Sequence, residues 1–154
     1  LYTEQEWEER MKYYRNAIKE ISIPQSIENS SQLQMIVSAM DKVLNEIFFD
    51  LSEAEDIYDI ASSAYQTRTS VYFLQGKESP GKGRGGGMSD EKAKNYSRVK
   101  VDGEGYLVER QKAERVKIFM KNVVSLLQEK RNLLMISYGT TKLESKMNPL
   151  GTGP

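Results

Sequence analysis

The chain has 154 residues, 22 Lys+Arg against 22 Asp+Glu, and neither His nor Cys. That length makes one domain the default, the lack of Cys excludes disulfides and thiolate chemistry, and the lack of His removes the commonest general base and metal ligand. The zero net charge hides a division: residues 1–60 hold 13 acids and 5 bases, a net of −8, while residues 61–154 hold 9 acids and 17 bases, a net of +8. Such asymmetry points to a polyanion for the basic half, to head-to-tail contact between subunits, or to two helix faces folding back on each other.

The first predicted helix covers about residues 3–22. Thr3 and Glu6 form a capping box, Trp7, Met11, Tyr14, Ile18 and Ile21 repeat at helical spacing, and Ile23-Pro24 stops the run. Asn29, Ser30 or Ser31 then caps a long helix over about 30–75, a stretch without Gly or Pro. Its 4-3-4-3 ladder is Leu33, Val37, Met40, Leu44, Ile47, Leu51, Ala54, Tyr58, Ala61, Tyr65, Arg68 and Tyr72, the seam of a helix that packs on partners throughout. At 1.5 Å per residue the ladder alone spans roughly 60 Å, which predicts an elongated or oligomeric protein. Ser52 and Glu55 make a second capping box, but the ladder keeps phase through it, favouring one helix, kinked or continuous, over two.

Residues 76–105 change character. The run from Gly76 to Gly87 is rich in glycine and reads as a flexible basic loop, with seven bases and three acids over 76–100. Within it Ser89 caps a short helix to about Arg98, and Asp102-Gly103-Glu104-Gly105 makes a further turn. A second long helix follows over about 106–138, with Ala113, Val116, Met120, Val123, Leu127 and Leu134 inward, Gly139 as its stop, and a loose tail over 139–154. The expected architecture is all-α and a single domain over 1–154: an elongated antiparallel hairpin of two long helices joined by a basic Gly-rich loop, with the N-terminal helix alongside. Apolar runs such as Leu133 to Ile136 are far shorter than the roughly 20 residues of a membrane span, and no signal-peptide pattern is seen. The expectation is a soluble intracellular protein with no membrane contact. Its start at Leu1 rather than Met suggests that N-terminal residues are missing or removed.

Three patterns bear on chemistry. Gly76 to Gly83 matches the phosphate-loop spacing, but Gly83 replaces the hydroxyl residue that holds magnesium, and the run follows a helix rather than a strand. Glu53, Glu55, Asp56 and Asp59, with Glu6 and Glu9, offer oxygen ligands of the kind used by all-α magnesium-dependent nucleotide pyrophosphohydrolases, though a solvated helix face explains them as well. The third is basic residues interleaved with aromatics: Lys77, Lys82, Arg84, Lys92, Lys94, Arg98 and Lys100 to neutralise phosphates, and Tyr72, Phe73 and Tyr96 on which unpaired bases stack. The last pattern predicts a non-enzymatic single-strand-binding protein, without cofactor or metal.

From about Leu33 to Lys146 the order of parts resembles the UvsY-type recombination mediators of bacteriophages. The matching features are a long helix ending in Arg68 and Tyr72-Phe73, the Gly83-Arg84-Gly85 loop, the polar Ser89 to Lys94 segment, Val99-Lys100-Val101-Asp102, and a closing helix that ends in Lys130-Arg131-Asn132-Leu133-Leu134. The resemblance implies binding of single-stranded DNA, ring-like homo-oligomers, and the loading of a RecA-like recombinase onto strands covered by single-strand-binding protein, in the cytoplasm of an infected host cell. It assigns Val123, Leu127, Leu134 and Ile136 to subunit contact. Where the family carries basic residues before its paired aromatics, this chain has Gln66-Thr67-Arg68-Thr69, so the DNA contact shifts to the loop lysines. A phage structural or scaffold protein using the same ladders for assembly is the alternative.

Overall fold

The computed structural model describes residues 2–24, 27, 29–78 and 86–147, the side chains of 140, 141 and 143–147 excepted. They form α1 (Glu4–Glu20), α2 (Ser30–Glu78), α3 (Asp90–Gly103) and α4 (Tyr106–Met147), and no strand occurs among the described residues. None of these helices is long and apolar enough to cross a membrane.

Local chemistry sets three of the four helix starts. Glu6 N–H donates to Thr3 Oγ1 at 3.3 Å and Thr3 N–H to Glu6 Oε2 at 2.6 Å, completing the capping box; the Thr3 amide holds the Glu6 carboxyl below its usual range. Asn29 Oδ1 accepts from Gln32 N–H at 2.8 Å and Ser89 Oγ from Lys92 N–H at 3.4 Å, so these two residues open α2 and α3. Helix α2 runs unbroken through Ser52, because a capping box starts a helix only where the preceding chain has left helical conformation.

Two ends differ from expectation. Gly139 does not stop α4, which continues to Met147; the glycine is not among those with positive φ, and no Gly or Pro follows before Met147 to end the hydrogen-bond ladder. Helix α3 passes Arg98 because Ala93, Ser97 and Val101, four residues apart, share one buried face. The expected loop over 76–105 is therefore largely helix: Gly76, Lys77 and Glu78 belong to α2, residues 90–103 to α3, and the glycine-rich centre at 79–85 lies outside the described residues.

By its internal contacts the chain divides into two compact units, Leu1–Leu51 with Phe119–Pro154, and Ser52–Ile118. The first has an apolar core that includes Trp7, Met11, Met40, Ile47, Met120 and Leu127, with Ile27, Met40 and Leu134 clustered beside Ile21, Leu33 and Tyr138. At one edge lies a buried carboxylate. Asp50 accepts from Tyr14 Oη at 2.5 Å, from Arg10 Nε and a second guanidinium nitrogen at 2.7 and 2.9 Å, and from Tyr2 Oη at 3.5 Å. Burial, and then the Asp50 hydrogen bond, pushes the Tyr14 hydroxyl well above the ordinary tyrosine range.

The second unit has a different interior. Its buried side chains are small, namely Ala54, Ala93, Ser97, Val101 and Ala113, and tyrosines and cations line the seam between α2 and α4. Lys117 Nζ lies 3.1 Å from the Tyr58 ring centroid, Arg110 lies 5.5 Å from that of Tyr65, and Arg68 Nε donates to Tyr106 Oη at 3.1 Å. Rising numbers on α2 meet falling numbers on α4, so the two helices run antiparallel within this unit. Tyr58, Tyr65 and Tyr72 are the heptad-spaced end of the sequence ladder. Their half-burial shows that these positions of the ladder face inward as its period requires, whereas Arg68 between them is exposed.

Folding redistributes the charge. Residues 52–118 hold 12 bases and 11 acids, a net of +1, and the remainder 10 bases and 11 acids, a net of −1. The division between chain halves is cancelled within each unit, so net charge alone no longer selects a polyanion as partner.

Candidate nucleic-acid interface

Among the described residues, Tyr72, Phe73, Lys77, Lys92, Lys94, Tyr96, Arg98 and Lys100 of the set singled out in the sequence lie on α3 or on the end of α2 beside it. Gly76 and Gly87 set the geometry there. A Cβ at Gly76 would lie 3.3 Å from both Met88 Sδ and Tyr96 Cδ1, so this glycine lets α3 approach α2 closely. Gly87 has φ +79°, and a Cβ there would fall 1.8 Å from the Lys77 carbonyl oxygen. Met88 N–H donates to the Gly76 carbonyl at 3.0 Å, fixing the start of α3 against the end of α2.

With Ala93, Ser97 and Val101 buried, the remaining side chains of α3 fall into two rows on its flanks. Lys92, Tyr96 and Lys100 make one. The Tyr96 ring packs edge-on to Tyr72 at 6.4 Å, with Lys100 Nζ 5.9 Å from its centroid. Tyr72 Oη donates to Glu104, and this hydrogen bond raises the Tyr72 pKa. Both tyrosine rings are half-buried and already packed, so they offer little free face to a base.

Lys94 and Arg98 make the other row, with Glu91 and Asn95 beside them. These four line a groove of about 670 Å³ whose opposite wall is Thr69, Phe73 and Leu74 of α2. Lys94 and Arg98 are exposed. Phe73 was expected from the sequence as a stacking face and lines this groove; Asn95 was not singled out, although its spacing from Glu91 carries that signal.

The other expected contacts are committed or fall elsewhere. Arg68 is hydrogen-bonded to Tyr106, and Lys77 Nζ pairs with Asp90 Oδ1 at 2.6 Å, which draws the Asp90 carboxyl below its usual range. Lys82 and Arg84 lie outside the described residues. The subunit-contact assignment needs correction in three of its four positions: Val123, Leu127 and Leu134 are buried within the first unit, where packing in one chain consumes them. Ile136 is exposed, as are Leu133 and Met135 on the same helix and Met35 and Phe49 on α2. Among the described residues no group of three acidic side chains converges to hold a metal ion, Glu53, Glu55, Asp56 and Asp59 included.

Comparison with known proteins finds no matching family model, no matching curated protein and no matching solved structure.

Proposed function

We propose that this chain is a non-enzymatic accessory protein of recombination, of the UvsY type, that binds single-stranded DNA through the α3 face and acts as a homo-oligomer. Support comes above all from the pairing of two exposed cations in one row, Lys94 and Arg98, with the aromatic wall of Phe73 across a groove. Single-strand sites combine such a basic track with aromatic surface. In this reading α2 and α4 form an elongated antiparallel hairpin whose glycine-rich bend adds Lys82 and Arg84 to the track. Many weak contacts per oligomer then supply affinity by avidity. Loading of a RecA-like recombinase onto strands covered by single-strand-binding protein, in an infected cell, rests on the resemblance in the order of parts.

The exposed apolar residues Phe49, Leu133 and Ile136 favour self-assembly in this reading, and serve equally a second one, a phage scaffold protein that binds no DNA. Fluorescence anisotropy of a labelled unstructured oligonucleotide separates them. The four phosphate contacts on α3, from Lys92, Lys94, Arg98 and Lys100, contribute about −3 to the slope of log affinity against log salt. Retention of the oligonucleotide with that contribution, lost in the fourfold alanine variant, supports DNA binding; no retention at low salt leaves the scaffold.

A further inference from the structure

Phosphate contacts hold a strand without reading it, whereas a concave site with an aromatic wall is able to take a planar group. The groove between α2 and α3 has that form. Phe73 and Leu74 supply one wall, Glu91, Lys94, Asn95 and Arg98 the other, and its volume of about 670 Å³ lies within the range of pockets that take small organic groups. Beside the hydroxyls of Tyr65, Thr69, Ser70 and Ser97, its charged and amide groups are of two kinds. Lys94 and Arg98 are one helical turn apart and both exposed, a spacing that suits consecutive phosphates of an extended backbone. Glu91 and Asn95 repeat the same spacing on the adjoining row, adding a carboxylate acceptor and an amide with both donor and acceptor.

Resting on the single-strand reading above, we propose that this groove is a base-reading pocket: it takes one unstacked base of the bound strand against Phe73, with Asn95 and Glu91 facing the base edge and Lys94 and Arg98 on the flanking phosphates. The edge chemistry sets a preference. A carboxylate accepts from the exocyclic amines of adenine, cytosine and guanine, and an asparagine amide pairs with the donor and acceptor of adenine. Thymine and uracil lack an exocyclic amine and offer Glu91 one ring N–H, N3–H, between two carbonyl oxygens that repel a carboxylate, so they are disfavoured. Adenine-rich strands therefore bind more tightly than thymine-rich ones of the same length, and a backbone without bases binds more weakly than either.

The test uses the full chain and three labelled oligomers of equal length, oligo-dA, oligo-dT and a wholly abasic strand, titrated at one low salt concentration against wild type, Phe73→Leu and Glu91→Gln, with circular dichroism confirming that each variant is folded. Base stacking accounts for an expected loss of roughly tenfold between oligo-dA and the abasic strand. Phe73→Leu weakens oligo-dA toward the abasic value and leaves the abasic strand unchanged, and Glu91→Gln narrows the gap between oligo-dA and oligo-dT. Equal binding of all three strands to wild type overturns the base pocket and leaves the single-strand reading intact. Binding of none of them overturns both. Tighter binding of oligo-dT than of oligo-dA overturns the assigned edge chemistry.

Discussion

Replacing Asp50 by Ala tests whether the buried polar cluster holds the first unit together. Asp50 is 2% exposed and Tyr14 0%, so the Tyr14 hydroxyl loses its acceptor in a place water does not reach, at a cost of about 1–3 kcal/mol. Arg10 loses two hydrogen bonds, but its side chain is 34% exposed and rehydrates, which limits its share to about 1 kcal/mol. The expected total, about 2–4 kcal/mol, lies at or below the 3–5 kcal/mol typical of breaking a fully buried pair. Trp7, the only tryptophan, is buried in the same unit, so urea unfolding followed by its fluorescence reports on this unit directly. In a Tyr14→Phe background the same Asp50→Ala change should cost about 1 kcal/mol less or better, since the stranded hydroxyl is gone. A loss below about 0.5 kcal/mol, or strict additivity of the two substitutions, would refute the assignment of this cluster as a stability centre.

Two further outcomes are expected. Because the Tyr14 hydroxyl is raised in the folded state, its contribution is fully present below about pH 10, the ordinary tyrosine value, and declines above it as the unfolded chain ionises first; urea midpoints should fall with pH there, less steeply in Tyr14→Phe. At the start of α3, Gly87→Ala should open the junction with α2, since its Cβ would meet the Lys77 carbonyl, whereas Gly86→Ala has open space at φ +52° and should cost only about 1 kcal/mol. Tryptic cleavage after Lys92 and Lys94 under native conditions should rise sharply in the first variant and little in the second.

The all-helical class, the caps at Thr3 and Ser89 and the inward phase of the ladder from Leu33 to Tyr72, the exposed Arg68 apart, were legible in the sequence. Each depends on residues a turn or a heptad apart, and such neighbours meet whatever the rest of the chain does. Even the tyrosine seam of the second unit is visible as the heptad spacing of Tyr58, Tyr65 and Tyr72. Gly139 was misleading because a glycine permits a helix stop without imposing one.

Tertiary structure alone decided which groups are free. Asp50 finds its partners 36, 40 and 48 residues away, and Arg131 reaches Asp41 across 90; no local pattern encodes such pairings. The same long-range contacts bury Val123, Leu127 and Leu134, occupy Arg68 and Lys77, and reduce a separation of −8 and +8 between chain halves to −1 and +1 between folded units. Periodicity and capping act through the backbone at short range and so are written in order along the chain. Charge pairing and surface exposure depend on which helices lie side by side, and only the packing of α2 against α3 sets Phe73 opposite Lys94 and Arg98.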